Sequence, residues 1–210
     1  MGHVHSSPFL LTSRRLFTEK VMDFSILGFL LFVVPHILSS IFPAVRDRAK
    51  AWIGEPKFKS SFAVLSALGF LSMVYGYWQS RSGGAGAELL YVPMDGARSI
   101  TMALVPIGFI VLAANAFRGY IRLWLQNPMS IGIALWATGH LLAVGKASAV
   151  WFYAAMLLVA LLDIASSMLR GKRPAYQPRW QDDAKAVVLG IILVAILAGL
   201  FHPFVLGVKL

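Results

Sequence analysis

Six apolar stretches alternate with polar, basic segments along the chain. They run roughly Phe24–Val45, Phe62–Trp78, Ile100–Ala116, Met129–Val144, Ala149–Leu169 and Ala186–Val205. Each is long enough, or nearly so, to cross the hydrocarbon core of a bilayer as a helix. The pattern predicts an all-α polytopic membrane bundle of about six transmembrane helices, with the lipid bilayer as its surroundings. The connecting pieces carry the turn and charge signals: RDRAKAWIGEPKFK, the Gly-rich RSGGAGAELLYVPMDG, FRGYIRLWLQNP, a tight turn at Gly145–Ala147, and RGKRPAYQPRWQDDAK. Pro35 is expected to kink the first span, and Pro106 with Gly108 to break the third.

Met1–Val21 falls outside this pattern. Its run Pro8–Leu11 is too short for the apolar region of a signal peptide. Met22 immediately precedes the first span, so the expected organisation is an extension over 1–21, a core over 22–170, a basic cytoplasmic loop over 171–185 and a sixth helix over 186–210.

Composition sharpens the class. The chain is 58% hydrophobic and 13% charged, with a mean hydropathy of +0.72, where soluble domains are about one quarter charged. Cysteine is absent, which removes disulfides, thiolate nucleophiles, Fe–S clusters and covalent haem attachment. The net charge of +10 resembles a nucleic-acid signal, but in a membrane protein it reads as topology, and no nucleic-acid partner is expected. The first, third and fifth loops hold about five, two and five Lys and Arg; the second, fourth and the C-terminus hold about two, one and one. By the positive-inside bias the odd loops are cytoplasmic and both termini periplasmic, in a bacterial inner membrane.

Two histidines stand inside apolar spans. In GIALWATGHLLAVG, helical spacing puts Gly132, Trp136, Gly139, His140 and Ala143 on one stripe. His36 shares a stripe with Gly28, Phe32, Ser39 and Ser40. Counted from the cytoplasmic ends, His36 lies about 14 Å and His140 about 17 Å into a core about 30 Å thick. Intramembrane ionisable residues mark functional sites or pair across helices. One arrangement satisfies both rings: axial ligation of a non-covalent haem b through Nε2, with Ser39 or Ser40 taking the Nδ1–H of His36 and Trp136 packing on the porphyrin. Arg98 and Lys146 from outside, or Arg118 and Arg122 from inside, would neutralise the propionates. Simple hydrogen bonding to a neighbouring helix is the plainer alternative. Zinc is disfavoured, because Asp163 and His202 sit at other depths. Asp163 itself is expected to snorkel or to pair with Arg170 or Arg122.

These residues resemble the NnrU family of membrane proteins, whose relatives include the 15-cis-zeta-carotene isomerases. The likeness is carried by His36 with SSIFPAVR behind it, GEPKFKSSFAVLSALGFLSMVYGY, Pro93 with Ala97-Arg98, NPMSIGIALWATGHLLAVG and LLDIAS. It covers roughly Met22–Arg170, and the family's usual start corresponds to Met22. Two positions depart from the family pattern: Asn127 stands where a histidine is common, and Val144-Gly145 where Asn-Gly is common. The resemblance implies an association with denitrification and nitric oxide metabolism. For the isomerase branch it implies a haem b enzyme that turns a cis double bond of a polyene trans. The competing expectations are a haem accessory or sensor protein, and a haem-free transporter whose histidines relay protons.

Overall fold

The computed structural model describes residues 26–80, 86–171, 173–205 and 207. The extension over 1–21 and the start at Met22 lie outside the described residues. Among the described residues the regular elements are helical: α1 (Ile26–Ile41), α2 (Pro43–Ile53), α3 (Glu55–Ser80), α4 (Ala97–Ala113), α5 (Tyr120–Leu125), α6 (Pro128–Ala143), α7 (Ala147–Leu169) and α8 (Trp180–Ile196), which continues as a π-helical segment, Leu197–Val205.

The chain is a multi-spanning membrane helix bundle, with four long apolar helices and not specifically six. Among the described residues, Glu55–Ser80, Ala97–Ala116, Ala147–Leu169 and Trp180–Phe204 are long and apolar enough to cross a membrane. A fifth is reached if α1 and α2 count as one span, and they meet at a bend of 103°. The stretch read as the fourth span is α6, a shorter apolar helix of 16 residues. Pro43 causes the bend: it cannot donate to the turn behind it, and it opens α2 at the first helical position. The third span is not broken at Pro106, since α4 runs through it, and α1 continues through Pro35.

Most of the first basic segment is helix and not loop. It forms α2 and the first turns of α3, where Lys59 pairs with Glu55 at 2.9 Å. Gly54 is the pivot between them, at φ 86°, a region that side chains rarely adopt.

Small residues set how closely the helices approach. A Cβ on Gly28 would lie 2.7 Å from Met73 N, and one on Gly69 would lie 2.7 Å from Phe32 N, so α1 and α3 touch backbone to backbone. Gly108 and Gly132 do the same for α4 and α6. α4 is the central helix, packed against both α6 and α8. α7 covers α6 on its other side and reaches α3.

Two polar clusters close the ends of α6. At its start, Asn127 caps the helix by accepting from Ser130 N at 3.4 Å. Its Nδ2 donates to Asp163 Oδ2 at 2.8 Å, and Ser130 Oγ donates to the same oxygen at 2.7 Å. Asp163 is thus bound by neutral donors from α6, in place of the arginine pairing expected. At the other end the segment Gly86–Tyr91 lies against the turn into α7: Leu90 N donates to Gly145 O at 2.8 Å and Ala147 N to Glu88 O at 2.9 Å. The Tyr91 hydroxyl donates to Leu141 O, and to Val144 O at 2.9 Å. Burial pushes the Tyr91 phenol above its ordinary value, which keeps it a donor.

Candidate functional site

A cavity of about 460 Å³ opens between α4, α6, α7 and the π-helical end of the chain, with Phe70 of α3 at its back. Its wall is overwhelmingly apolar: Met102, Val105, Phe109 and Leu112 from α4, Ile133 from α6, Met156 from α7, and Val194, Leu197 and Phe201 from the last helix. Five lining residues carry polar atoms: Thr101, Trp136, His140, Tyr153 and His202. A large apolar pocket with a few convergent polar groups is the usual form of a small-molecule site.

The helices place these groups one by one. Thr101 Oγ1 bonds Ala97 O at 2.9 Å and Gly139 O at 2.6 Å, which ties α4 to α6 one residue before His140. His140 is buried, and its Nδ1 bonds Trp136 O at 2.8 Å, one turn back in the same helix. A carbonyl only accepts, so Nδ1 carries the proton and Nε2 carries a lone pair. The ring lies against Tyr153, with centroids 4.4 Å apart and planes 22° apart. Trp136 meets Tyr153 edge-on at 5.1 Å.

His202 completes the group. Its Nδ1 bonds Leu197 O at 2.7 Å, five residues back, and its ring centroid is 6.3 Å from that of His140. The same tautomer argument leaves its Nε2 an acceptor. Sequence reasoning set His202 apart as lying too far out. The depth estimate assumed straight α-helices, whereas this segment is a π-helix and His140 lies only three residues before α6 ends at Ala143. Tyr153 and Thr101 were also missed. Their signal was a polar atom inside an otherwise apolar span.

His36 is elsewhere. Its Nδ1 bonds Phe32 O at 2.6 Å, and its ring packs on Phe32 at 4.4 Å and Phe62 at 4.8 Å. Ser39 and Ser40 are half-buried. Ser40 gives its carbonyl to Ser166 Oγ at 2.5 Å and Arg170 Nη1 at 3.3 Å, so it joins α1 to α7. Arg98 is exposed in the first turn of α4. Arg122 donates to Asn115 O at 2.9 Å and lies over the Tyr176 ring, 6.0 Å from its centre.

The expected bis-histidine haem b is therefore corrected. Among the described residues no group of three or more His, Cys, Asp or Glu comes together to hold a metal ion, and cysteine is absent. His36 does not line the cavity that holds His140. A chain of packed rings runs between them: Phe32 to Phe70 at 6.5 Å, Phe70 to Phe152 at 5.6 Å, Phe152 to Trp136 at 6.1 Å, and Trp136 to His140 at 5.2 Å. Matched depth did not bring the rings together, because depth says nothing about the direction a side chain takes around its helix.

The family model for NnrU protein matches residues 24–210, which takes in every described helix. No curated protein and no solved structure matches the chain.

Proposed function

The chain belongs to the NnrU family, and we propose that it binds a lipophilic polyene inside the membrane, in the cavity beside His140. The observation that supports this reading is the cavity itself: about 460 Å³, apolar in nearly all of its wall, with its few polar atoms gathered around His140. A polyene already dissolved in the bilayer gains dispersion contacts with this wall, not hydrophobic transfer energy, because lipid tails are as apolar as the wall. A polyene is the ligand class that the resemblance to the carotene isomerases suggests. Trp136 and Tyr153 supply flat aromatic surface to a conjugated chain.

Trp136 gives the test. Of the six tryptophans it alone lines the cavity; Trp52, Trp78, Trp124, Trp151 and Trp180 are each more than half exposed. In a protein with those five replaced by Phe, a conjugated polyene is expected to quench Trp136 to saturation. Ala198→Phe, which fills the wall, is expected to abolish the saturable part. Quenching that rises linearly with polyene, as simple partition into the bilayer would give, overturns the reading.

The bias of Lys and Arg toward the odd loops supports periplasmic termini, with the short helix α6 crossing between α4 and α7 as one of six spans. Alkaline phosphatase fused after Gly84 is then active, and fused after Arg173 inactive. The opposite pattern would invert the faces, and equal activity at both sites would show that α6 does not cross.

A further inference from the structure

We propose that the ligand of this cavity carries a hydroxyl head, an O–H donor that docks between His140 and His202 while its apolar chain lies along the remaining wall. This rests on the cavity being the ligand site, and it names the chemistry that the site selects.

The inference comes from counting donors and acceptors. Both imidazoles spend their Nδ1 proton on a carbonyl of their own helix, Trp136 O and Leu197 O, at 2.8 and 2.7 Å. Both then present a bare Nε2, and the two rings line one cavity with centroids 6.3 Å apart. Two acceptors cannot bond each other; a ligand O–H brings one proton, which either Nε2 can accept.

The donors nearby do not cancel this excess. Thr101 directs its hydroxyl to the carbonyls of Ala97 and Gly139. Trp136 and Tyr153 also line the cavity, and a ligand hydroxyl can accept as well as donate. A ketone or quinone oxygen accepts only, so it would leave both imidazole lone pairs against apolar surface. A pure hydrocarbon would leave both Nε2 atoms unmatched. A site built to bond a ligand hydroxyl rejects the analogue without it far more strongly than a site that merely tolerates one.

A polyene alcohol and a prenylated hydroquinone share this chemistry, and four probes separate them. The full-length protein in lipid nanodiscs is titrated with retinol, with the hydrocarbon that lacks its O–H, with a short-chain ubiquinol kept reduced without oxygen, and with the matching ubiquinone. Trp136 quenching and competition between probes report binding. Within the preferred pair, the O–H member is expected to bind about tenfold tighter, or more, than its partner. His202→Phe is expected to lower that ratio, and adding His140→Phe to erase it, while the hydrocarbon still binds. His202→Gln, whose amide oxygen accepts, is expected to keep much of it, which separates hydrogen bonding from folding. Equal affinities within both pairs overturn the inference and leave the lipophilic site standing. The absence of saturable binding for all four probes overturns both.

Discussion

Gly132→Val will leave little folded protein, and what remains will melt far below the wild type. A Cβ at position 132 would fall 2.5 Å from Gly108 O and 2.7 Å from Leu112 N. These are backbone atoms of α4, which cannot swing aside as a side chain can. The contact is reciprocal, since a Cβ on Gly108 would lie 2.9 Å from Gly132 O and 3.1 Å from Trp136 N. The only relief is to push α4 and α6 apart, which stretches the 2.6 Å bond from Thr101 to Gly139 O and opens the cavity wall. Overpacking costs about 1–3 kcal/mol, and a clash with backbone belongs at or above the upper end. Inside a bilayer the lost close packing is not replaced by any hydrophobic gain. Gly199→Ala is the control. Nothing lies within 4 Å of the added atom, so the change should stay within about 0.5 kcal/mol. Fluorescence-detected size exclusion after graded heating reads both variants. An unchanged melting temperature for Gly132→Val would refute the backbone contact.

Asp163→Leu is expected to be nearly as damaging, by a different route. Its Oδ2 receives Asn127 Nδ2 at 2.8 Å and Ser130 Oγ at 2.7 Å. Leucine leaves two donors at the start of α6 without an acceptor. A stranded buried polar group costs about 1–3 kcal/mol, so the two together should remove about 2–4 kcal/mol. Asn127 keeps its bond to Ser167 Oγ at 3.2 Å, which softens the loss. Asp163→Asn retains a carbonyl oxygen and should lose much less. The damage should be local at first, because Asn127 caps α6 and Pro128 opens it. Limited proteolysis between α5 and α6 will therefore show cleavage in Asp163→Leu at temperatures where Asp163→Asn resists. Equal resistance of the two variants would show that Asp163 does not hold this end.

The apolar runs were plain in the sequence because a bilayer demands long uncharged helices, and composition alone reports them. Helix ends were less plain. Arg46 to Lys59 read as a loop on charge, yet Lys, Arg, Glu and Ala are good helix formers, and only Gly54 interrupts them. The start of α6 was encoded openly in Asn127-Pro128, a cap followed by a proline at the first helical position. Half of the site was legible. His140 and Trp136 stood out as polar atoms in an apolar run, and both line the cavity. Their partner was not legible, because linear counting gives depth and cannot foresee a π-helix. The pairing with His36 failed on direction: that ring is turned onto Phe32 and Phe62.

The 103° bend at Phe42 has an electrostatic consequence. α1 runs along the spanning helix α3, so α2 lies across the bundle, close to the plane of the bilayer surface. Arg46 is offset by Asp47 at 2.9 Å, and the remaining charge of α2 comes from Arg48 and Lys50. Laid in that plane, both sit at one depth and not one above the other. Against a leaflet of anionic lipid each contributes about 1 kcal/mol of attraction. Trp52, 88% exposed at the end of the same helix, suits the headgroup layer. An elbow laid in that plane would act as a float that sets how far the bundle sinks into the bilayer, and its charge-dependent part would weaken as ionic strength rises.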